Sequence, residues 1–542
     1  MAKIIKKSLP WFVILALIGL VAGVAFNFGK PQAGAEGKPA KVTVGNVLPV
    51  ITVATVDSSA CTTPINVGSG VTFTATATDV NGDTWKILVC KTAGTTGIAC
   101  TGTQWCVSTS GVASGNPNSC TYTPVVTGDY NAGGWFAYAC DSTGCTADAN
   151  ANSPFYVNRA PNFTVGSGGA ANPGENAAFT TTSSDDDDTA DGCAADQVKL
   201  FVCATEGATA SGCSGTELCN AALGDDNRGC NYGVPIPTTH GADKDYYPYV
   251  FDTHSMAAGG DQQGVVDHYT VNDVAPTISS VSLHGGTLIV LNLKGSTTDV
   301  AAVSTDVYDS NGFGDITGAT AVIYLTTKTD GCSANDNYCY QVATGNCVQS
   351  AGSGTTCTYT CTAAFKYYGD PTDTSSTWTA DTWTAKMTAS DQVGSGSQTS
   401  STVELQTNTA LSVTQTEINY DSVAAGTDTE AVNETTTVVN EGNSPIDNEL
   451  YGTDMTFETN TIVVTQQKWN LTAFTYSSGG TTLKLEANKD TVNIVATKPT
   501  STDITDDILW GIGIPEGKAS GAYEGTNTFI AAIDADDWPG TP

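Results

Sequence analysis

The sequence predicts an all-β chain of tandem β-sandwiches, and three observations carry that prediction. A 21-residue cysteine frame occurs twice, as KILVCKTAGTTGIACTGTQWC over 86–106 and KLFVCATEGATASGCSGTELC over 199–219, with all three cysteines among its identities. An Asn-to-Pro linker recurs as VGNVLP, VNRAP and VNDVAP, placing Asn46, Asn158 and Asn272 at spacings of 112 and 114 residues. That period is the size of one seven-stranded sandwich. Finally, only 14% of the 542 residues are charged, and polarity comes from Thr, Ser, Asn and Gly, which suit short strands and turns rather than long surface helices.

The first element is an address. Lys3, Lys6 and Lys7 precede an uninterrupted apolar run from Trp11 to Phe26, and Ala33-Gly34-Ala35 fits a small-residue cleavage site. The run is short for a bilayer span, so 1–35 reads as a cleaved export signal, with a retained N-terminal membrane anchor as the alternative. The body then lies outside the cytoplasm, extracellular or at the cell surface, where seventeen cysteines are mostly bridged.

After a linker at 36–46, the first sandwich is placed at 47–158. GVTFTATATD alternates with period two, TWKILVC is a short apolar strand, and GGWFAYACD is another that ends at Asp141. The second sandwich, 159–274, answers with NAAFTTTSSD, QVKLFVC and YYPYVFD, ending at Asp252. The third, 275–407, follows with VAAVSTDVYD, TAVIYLT and WTAKMTASD, ending at Asp391; it retains CTYT at Cys357, matching CTYT at Cys120. From 408 to 542 a cysteine-free fourth β-sandwich is expected, its β-branched and aromatic runs punctuated by Asn-Ser-Pro, Gly-Gly and Pro-Glu-Gly turns.

The recurring linkers, the alternating strands and the Asp closing each penultimate strand resemble the immunoglobulin-like, PKD-type and cadherin-like repeats of prokaryotic surface proteins. From about residue 277 on, GCSANDNYCY, YYGDPTD, TTTVVNEGNSPID and GAYEGTNTFIAA look similar to uncharacterised exported proteins of candidate-phylum bacteria. The resemblance implies immunoglobulin-like sandwiches with a structural or adhesive role; fold alone does not fix function.

Three sets of residues bear on chemistry. Cys100 with Cys106, Cys213 with Cys219, and Cys332 with Cys339 are spaced to close small rings, leaving Cys90 with Cys120 and Cys203 with Cys230 as the remaining matched pairs. Zinc knuckles and Cys-x-x-Cys redox motifs are absent from these loops, so the cysteines read as staples, and the odd count in each repeat leaves at least one thiol over. The acidic turns DVNGD (Asp79, Asn81, Asp83) and DSNGFGD (Asp309, Asn311, Asp315) have oxygen spacing suited to calcium; Asn-Gly is equally the favoured hairpin turn, and the plain turn is the commoner reading. His240, His254 and His268 share a stretch with Asp243, Asp245 and Asp267, a weak metal signature.

A formal charge of −34 repels a phosphate backbone, which excludes nucleic-acid partners. No HExxH, GxSxG, GxxxxGK[ST] or helix-opening GxGxxG occurs. The expected function is a non-enzymatic, exported structural protein of surface-layer or adhesive-stalk type, whose partners are other surface proteins or copies of itself. The alternative is a carbohydrate- or protein-binding module, with GGWF, KDYYPY and STWTADTW as sugar-stacking candidates, although alternation favours packing for these aromatics. A secreted hydrolase ranks last. No organic cofactor is expected.

Overall fold

The computed structural model describes residues 41–124, 134–149, 153–185, 187, 195–304 and 306–540. The export segment expected at 1–35 lies outside them. Among the described residues there are strands and short 3-10 turns but no α-helix, and no helix long and apolar enough to cross a membrane. The described chain forms two compact units, one drawn from 1–55, 74–120 and 136–151 and the other from 56–73, 121–135 and 152–542.

Pairs of sheets succeed one another along the sequence. In the first, strands Val50–Asp57, Val71–Thr78 and Pro117–Tyr122 lie in that order in one sheet. Cys145–Ala147, Phe136–Cys140, Lys86–Cys90 and Gln104–Val107 lie in that order in the other. Numbered along the chain, the main strands therefore run 1-2-5 against 7-6-3-4, the Greek-key order of an immunoglobulin-like sandwich. Asn162–Gly168, Asn176–Ser184 and Gly229–Gly233 repeat the 1-2-5 sheet, and Asp267–Val271, Gly241–Asp252, Val198–Cys203 and Glu217–Gly224 repeat the 7-6-3-4 sheet. A six-stranded and a four-stranded sheet follow between Thr277 and Thr399, then a five-stranded and a three-stranded sheet between Leu411 and Ile533.

Period-two alternation produces this burial directly. Val71, Phe73, Ala75 and Ala77 point inward from Val71–Thr78 while the threonines between them are more exposed. Lys86–Cys90 is buried at four of five positions, as expected of a central strand between two neighbours. The aromatics of the three sugar-stacking candidates mostly serve the interior: Trp135, Tyr246, Tyr249, Trp378 and Trp383 are all buried, and Phe136 is the exposed one.

The disulfides correct the expected pairing. Cys90 joins Cys100 and Cys106 joins Cys120; likewise Cys203 joins Cys213 and Cys219 joins Cys230. The expected Cys100–Cys106, Cys213–Cys219, Cys90–Cys120 and Cys203–Cys230 bridges do not form. Closing a six-residue ring rather than one of ten to fourteen saves only about 0.5–0.8 kcal/mol of loop entropy, too little to overrule strand geometry. The hairpin Thr95–Thr96 to Ala99–Cys100 folds Cys100 back onto Cys90 at the end of the central strand, and both cysteines pack with Leu88 and Tyr138. Cys106 lies one strand over, and its partner Cys120 comes from the opposite sheet.

Cys332–Cys339 closes as expected, and Cys140–Cys145 and Cys347–Cys361 add two further staples. Among the described residues, the surplus thiol is Cys357, buried in strand Thr356–Phe365. The CTYT match with Cys120 is therefore four residues out of step, because Cys361 rather than Cys357 takes the bridge. Peptide mapping without reductant should recover these seven bridges, and Cys357 should resist alkylation until the chain is unfolded. Recovery of Cys100–Cys106, or rapid native labelling of Cys357, would overturn the arrangement.

Candidate metal centres

One local construction appears three times. Asp79 follows the strand Val71–Thr78, and its Oδ1 accepts the N–H of Asn81 at 2.7 Å. Asp185 follows Asn176–Ser184 and accepts from Asp187 at 3.0 Å. Asp309 follows Val307–Tyr308 and accepts from Asn311 at 2.7 Å. These are Asx turns, the local bond for which Asp is selected at such positions. The residue two along then grips the incoming linker: Asn81 Oδ1 accepts the N–H of Val47 at 2.7 Å, Asp187 Oδ2 that of Arg159 at 2.6 Å, and Asn311 Oδ1 that of Val274 at 2.8 Å. Asn311 Nδ2 also donates to the carbonyls of Thr238 and Asn272. Asn81 and Asn311, expected as ligands, thus serve as linker latches.

The other carboxylate oxygen of each turn is left over. Asp79 Oδ2, Asp185 Oδ2 and Asp309 Oδ2 are buried with no hydrogen-bond partner, on side chains that for Asp79 and Asp309 are 5% and 1% exposed. Each aspartate meets two more carboxylates, forming the groups Asp79–Asp83–Asp141, Asp185–Asp196–Asp252 and Asp309–Asp315–Asp391, with one oxygen per residue and all within 4.8 Å of one another. The third member, Asp141, Asp252 or Asp391, is the one that closes the penultimate strand.

A linker side chain joins each group. Asn46 Nδ2 donates to Asp141 Oδ2 at 2.6 Å, and Asn158 Nδ2 donates to Asp252 Oδ2 at 2.7 Å; Asn158 itself is buried and its Oδ1 is unpartnered. Turning either amide about its Cβ–Cγ axis would exchange the donor for a carbonyl oxygen. At the third position Asp273 stands in the linker, within the set of groups that act on Asp309.

Anions gathered this closely resist ionisation. Burial foremost, then the Asp187, Asp196 and Asp252 carboxylates, push Asp185 up to about 7 against the lowering effect of the Asp187 N–H. Burial likewise lifts Asp309 to about 6, helped by Asp315, Asp391 and Asp273 and opposed by the Asn311 N–H. Asp252 is raised, burial again leading. Asp141 goes the other way: burial works against its charge, but hydrogen bonds from Asn46, Thr143 and Gly144 outweigh it. A divalent cation bound there would remove the conflict, and hard oxygen donors of this kind suit calcium, which takes six to eight oxygens at 2.3–2.6 Å.

The pH dependence follows in sign. A carboxyl whose pKa is raised on folding favours the folded state below its unfolded value of 3.8 and loses that contribution as pH rises through the folded value. For Asp309, the step from 3.8 to about 6 corresponds to roughly 3 kcal/mol. In chelator, therefore, stability should fall as pH rises from about 4 to 7, and saturating calcium should flatten that fall. A chelated protein equally stable at both ends of this window would contradict the electrostatic account.

The histidines do not assemble as one site. His240 faces Asp315 and Asp273, His254 lies 3.8 Å from Asp196, and His268 pairs with Asp245 across adjacent strands at 2.9 Å. In the last pair of sheets, a cleft of about 780 Å³ is lined by Ile418, Tyr420, Met455, Ile514, Lys518 and Tyr523 among others.

No protein-family model matches the chain, and no curated protein does. Among solved structures, a marsupial T cell receptor is 10% identical, covering 64% of this chain and 99% of its own, with a TM-score of 0.24. The chicken CNTN1 FN1–FN3 domains are 10% identical, covering 66% and 98%, at 0.20. A structure addressing host cell surface retention of a 1.5-MDa bacterial ice-binding adhesin is 14% identical, covering 67% and 100%, at 0.25. Values this low leave the fold to be argued from the chain's own sheets.

Proposed function

We propose that the chain is a non-enzymatic, exported structural protein of the cell surface, of surface-layer or adhesive-stalk type, whose disulfide-stapled sandwiches are stiffened by calcium. The observation that carries this reading is the threefold recurrence of one construction: an Asx turn, a latch on the incoming linker and a buried orphan carboxylate oxygen. A catalytic centre is built once per chain, whereas a device repeated with the period of the fold serves the fold. Seven bridges in the described residues favour an oxidising location outside the cytoplasm.

Envelope fractionation with immunogold labelling tests the reading. An abundant, regularly spaced coat, or filaments projecting from the envelope, is the expected result; a protein confined to the cytoplasm overturns it. The cleft beside Tyr420 and Tyr523 favours a second reading, in which this last sandwich binds a glycan or a protein segment. Retention on a glycan array that is lost in Tyr420→Ala but kept in Asp79→Ala would select it.

A further inference from the structure

His240 precedes strand Gly241–Asp252, Asp273 lies in the linker after Asp267–Val271, and Asp315 closes the 3-10 turn Phe313–Asp315. One ligand atom of each lies within 4.8 Å of the others. His240 Nδ1 is 3.2 Å from Asp315 Oδ2 and 3.6 Å from Asp273 Oδ1, on carboxylates whose side chains are 17% and 11% exposed. The longer distance exceeds hydrogen-bonding range, and Asp273 Oδ1 is buried without any hydrogen-bond partner. A tetrahedral ion with bonds of 2.0–2.2 Å sets its donors about 3.3–3.6 Å apart; the two separations from His240 Nδ1 are close to that, and the two carboxylates lie within 4.8 Å of each other.

We propose that His240, Asp273 and Asp315 form a second kind of metal centre, one that takes a first-row divalent cation of the zinc type. The nitrogen donor sets it apart from the neighbouring all-oxygen group Asp309–Asp315–Asp391, since imidazole suits zinc and its neighbours whereas calcium prefers oxygen. The Nδ1 lone pair ligates the ion, the ring proton sits on Nε2, and water completes the coordination. Asp315 belongs to both groups and would bridge the two ions. The first and second acidic groups differ: His254 lies 3.8 Å from Asp196 of the second, but among the described residues only His240 joins two carboxylates in a set of mutually close ligand atoms, so this junction would carry the additional ion, which ties together the segment before Gly241, the linker and the turn after Val307–Tyr308.

The test is equilibrium dialysis of the full chain against zinc in saturating calcium, with His240→Ala, His254→Ala and His268→Ala beside the parent. The parent is expected to bind one zinc ion that His240→Ala loses, with affinity reduced at least tenfold, while the other two variants keep it. Equal melting of the metal-free parent and His240→Ala would confirm that the variant is folded. Zinc binding unchanged in His240→Ala overturns the proposal. So does failure to bind zinc by a chain that still responds to calcium, which would leave an imidazole–carboxylate ion pair only. Zinc binding through His240 in a chain indifferent to calcium would uphold this site and reject the calcium reading.

Discussion

Transfer of the chain from chelator to millimolar calcium is expected to raise its melting temperature steeply, and Asp309→Ala is expected to remove much of the gain. Each group presents three carboxylates that repel one another in the folded state and have no reason to meet in the unfolded one, so a cation binds the folded state almost exclusively. At a hundredfold excess over the dissociation constant, each occupied site contributes about 2.7 kcal/mol. Three sites on successive sandwiches make this the largest effect available to a single change of solvent, seen as separate shifts if the sandwiches melt independently. Asp79→Ala should abolish only the share due to the first group. Asn81→Ala should weaken the response less, because its side chain holds the N–H of Val47 rather than facing the ion. Sodium chloride at equal ionic strength separates binding from screening. If it reproduces the calcium shift, or if chelator and calcium give superimposable curves, the three groups are hairpin turns and nothing more.

The architecture was legible because burial in a sandwich is a two-residue rhythm, and residues such as Val71, Phe73, Ala75 and Ala77 declare it in a single stretch. The candidate centres were only half legible. Asp79, Asp83, Asp309 and Asp315 stand out through their spacing around Asn-Gly or Asn-Gly-Phe-Gly, but their third partner is some sixty to eighty residues away in sequence. Asp141, Asp252 and Asp391 were visible as a recurring final letter of the penultimate strand. Nothing local says that this letter faces the earlier turn. The signal that joins them is the common period of turn, linker Asn and strand-end Asp, which only a folded sandwich converts into distance.

The cysteine pairs failed for a related reason. Loop entropy changes so slowly with length that sequence spacing cannot choose between neighbouring partners, whereas a strand fixes which side each Cβ faces. The latch role of Asn81 and Asn311 was hidden by the same chemistry that suggested calcium, since an amide oxygen at that position serves a cation or a backbone N–H equally well.

The second large effect concerns a group with no counterpart in the acidic turns. Lys498, between strands Asp490–Ala496 and Thr505–Ile512, places its Nζ 2.7 Å from Asp370 Oδ1, with side chains only 1% and 4% exposed. The ammonium also donates to the carbonyl oxygens of Tyr368 at 2.8 Å and Pro499 at 3.1 Å, and to Asn337 Oδ1 at 3.2 Å, while the Trp378 ring lies 5.7 Å away. Burial lowers the lysine pKa and raises that of Asp370, and in each case the partner's charge opposes the shift. Every donor is occupied, so the pair is stable as built and costly to break. Asp370→Ala should therefore cost about 3–5 kcal/mol, because it strands an ammonium among neutral groups. Replacing both ions, as Lys498→Met with Asp370→Leu, should recover much of that loss, since the desolvation penalty goes with the charges. Asp370 follows strand Thr356–Phe365 of the preceding sheets, so the pair fastens one set of sheets to the next. Chemical unfolding of the three proteins decides the matter. A single variant as mild as a surface substitution would show that the pair carries no such strain, whereas a double variant as unstable as the single would show that geometry, not stranded charge, sets the cost.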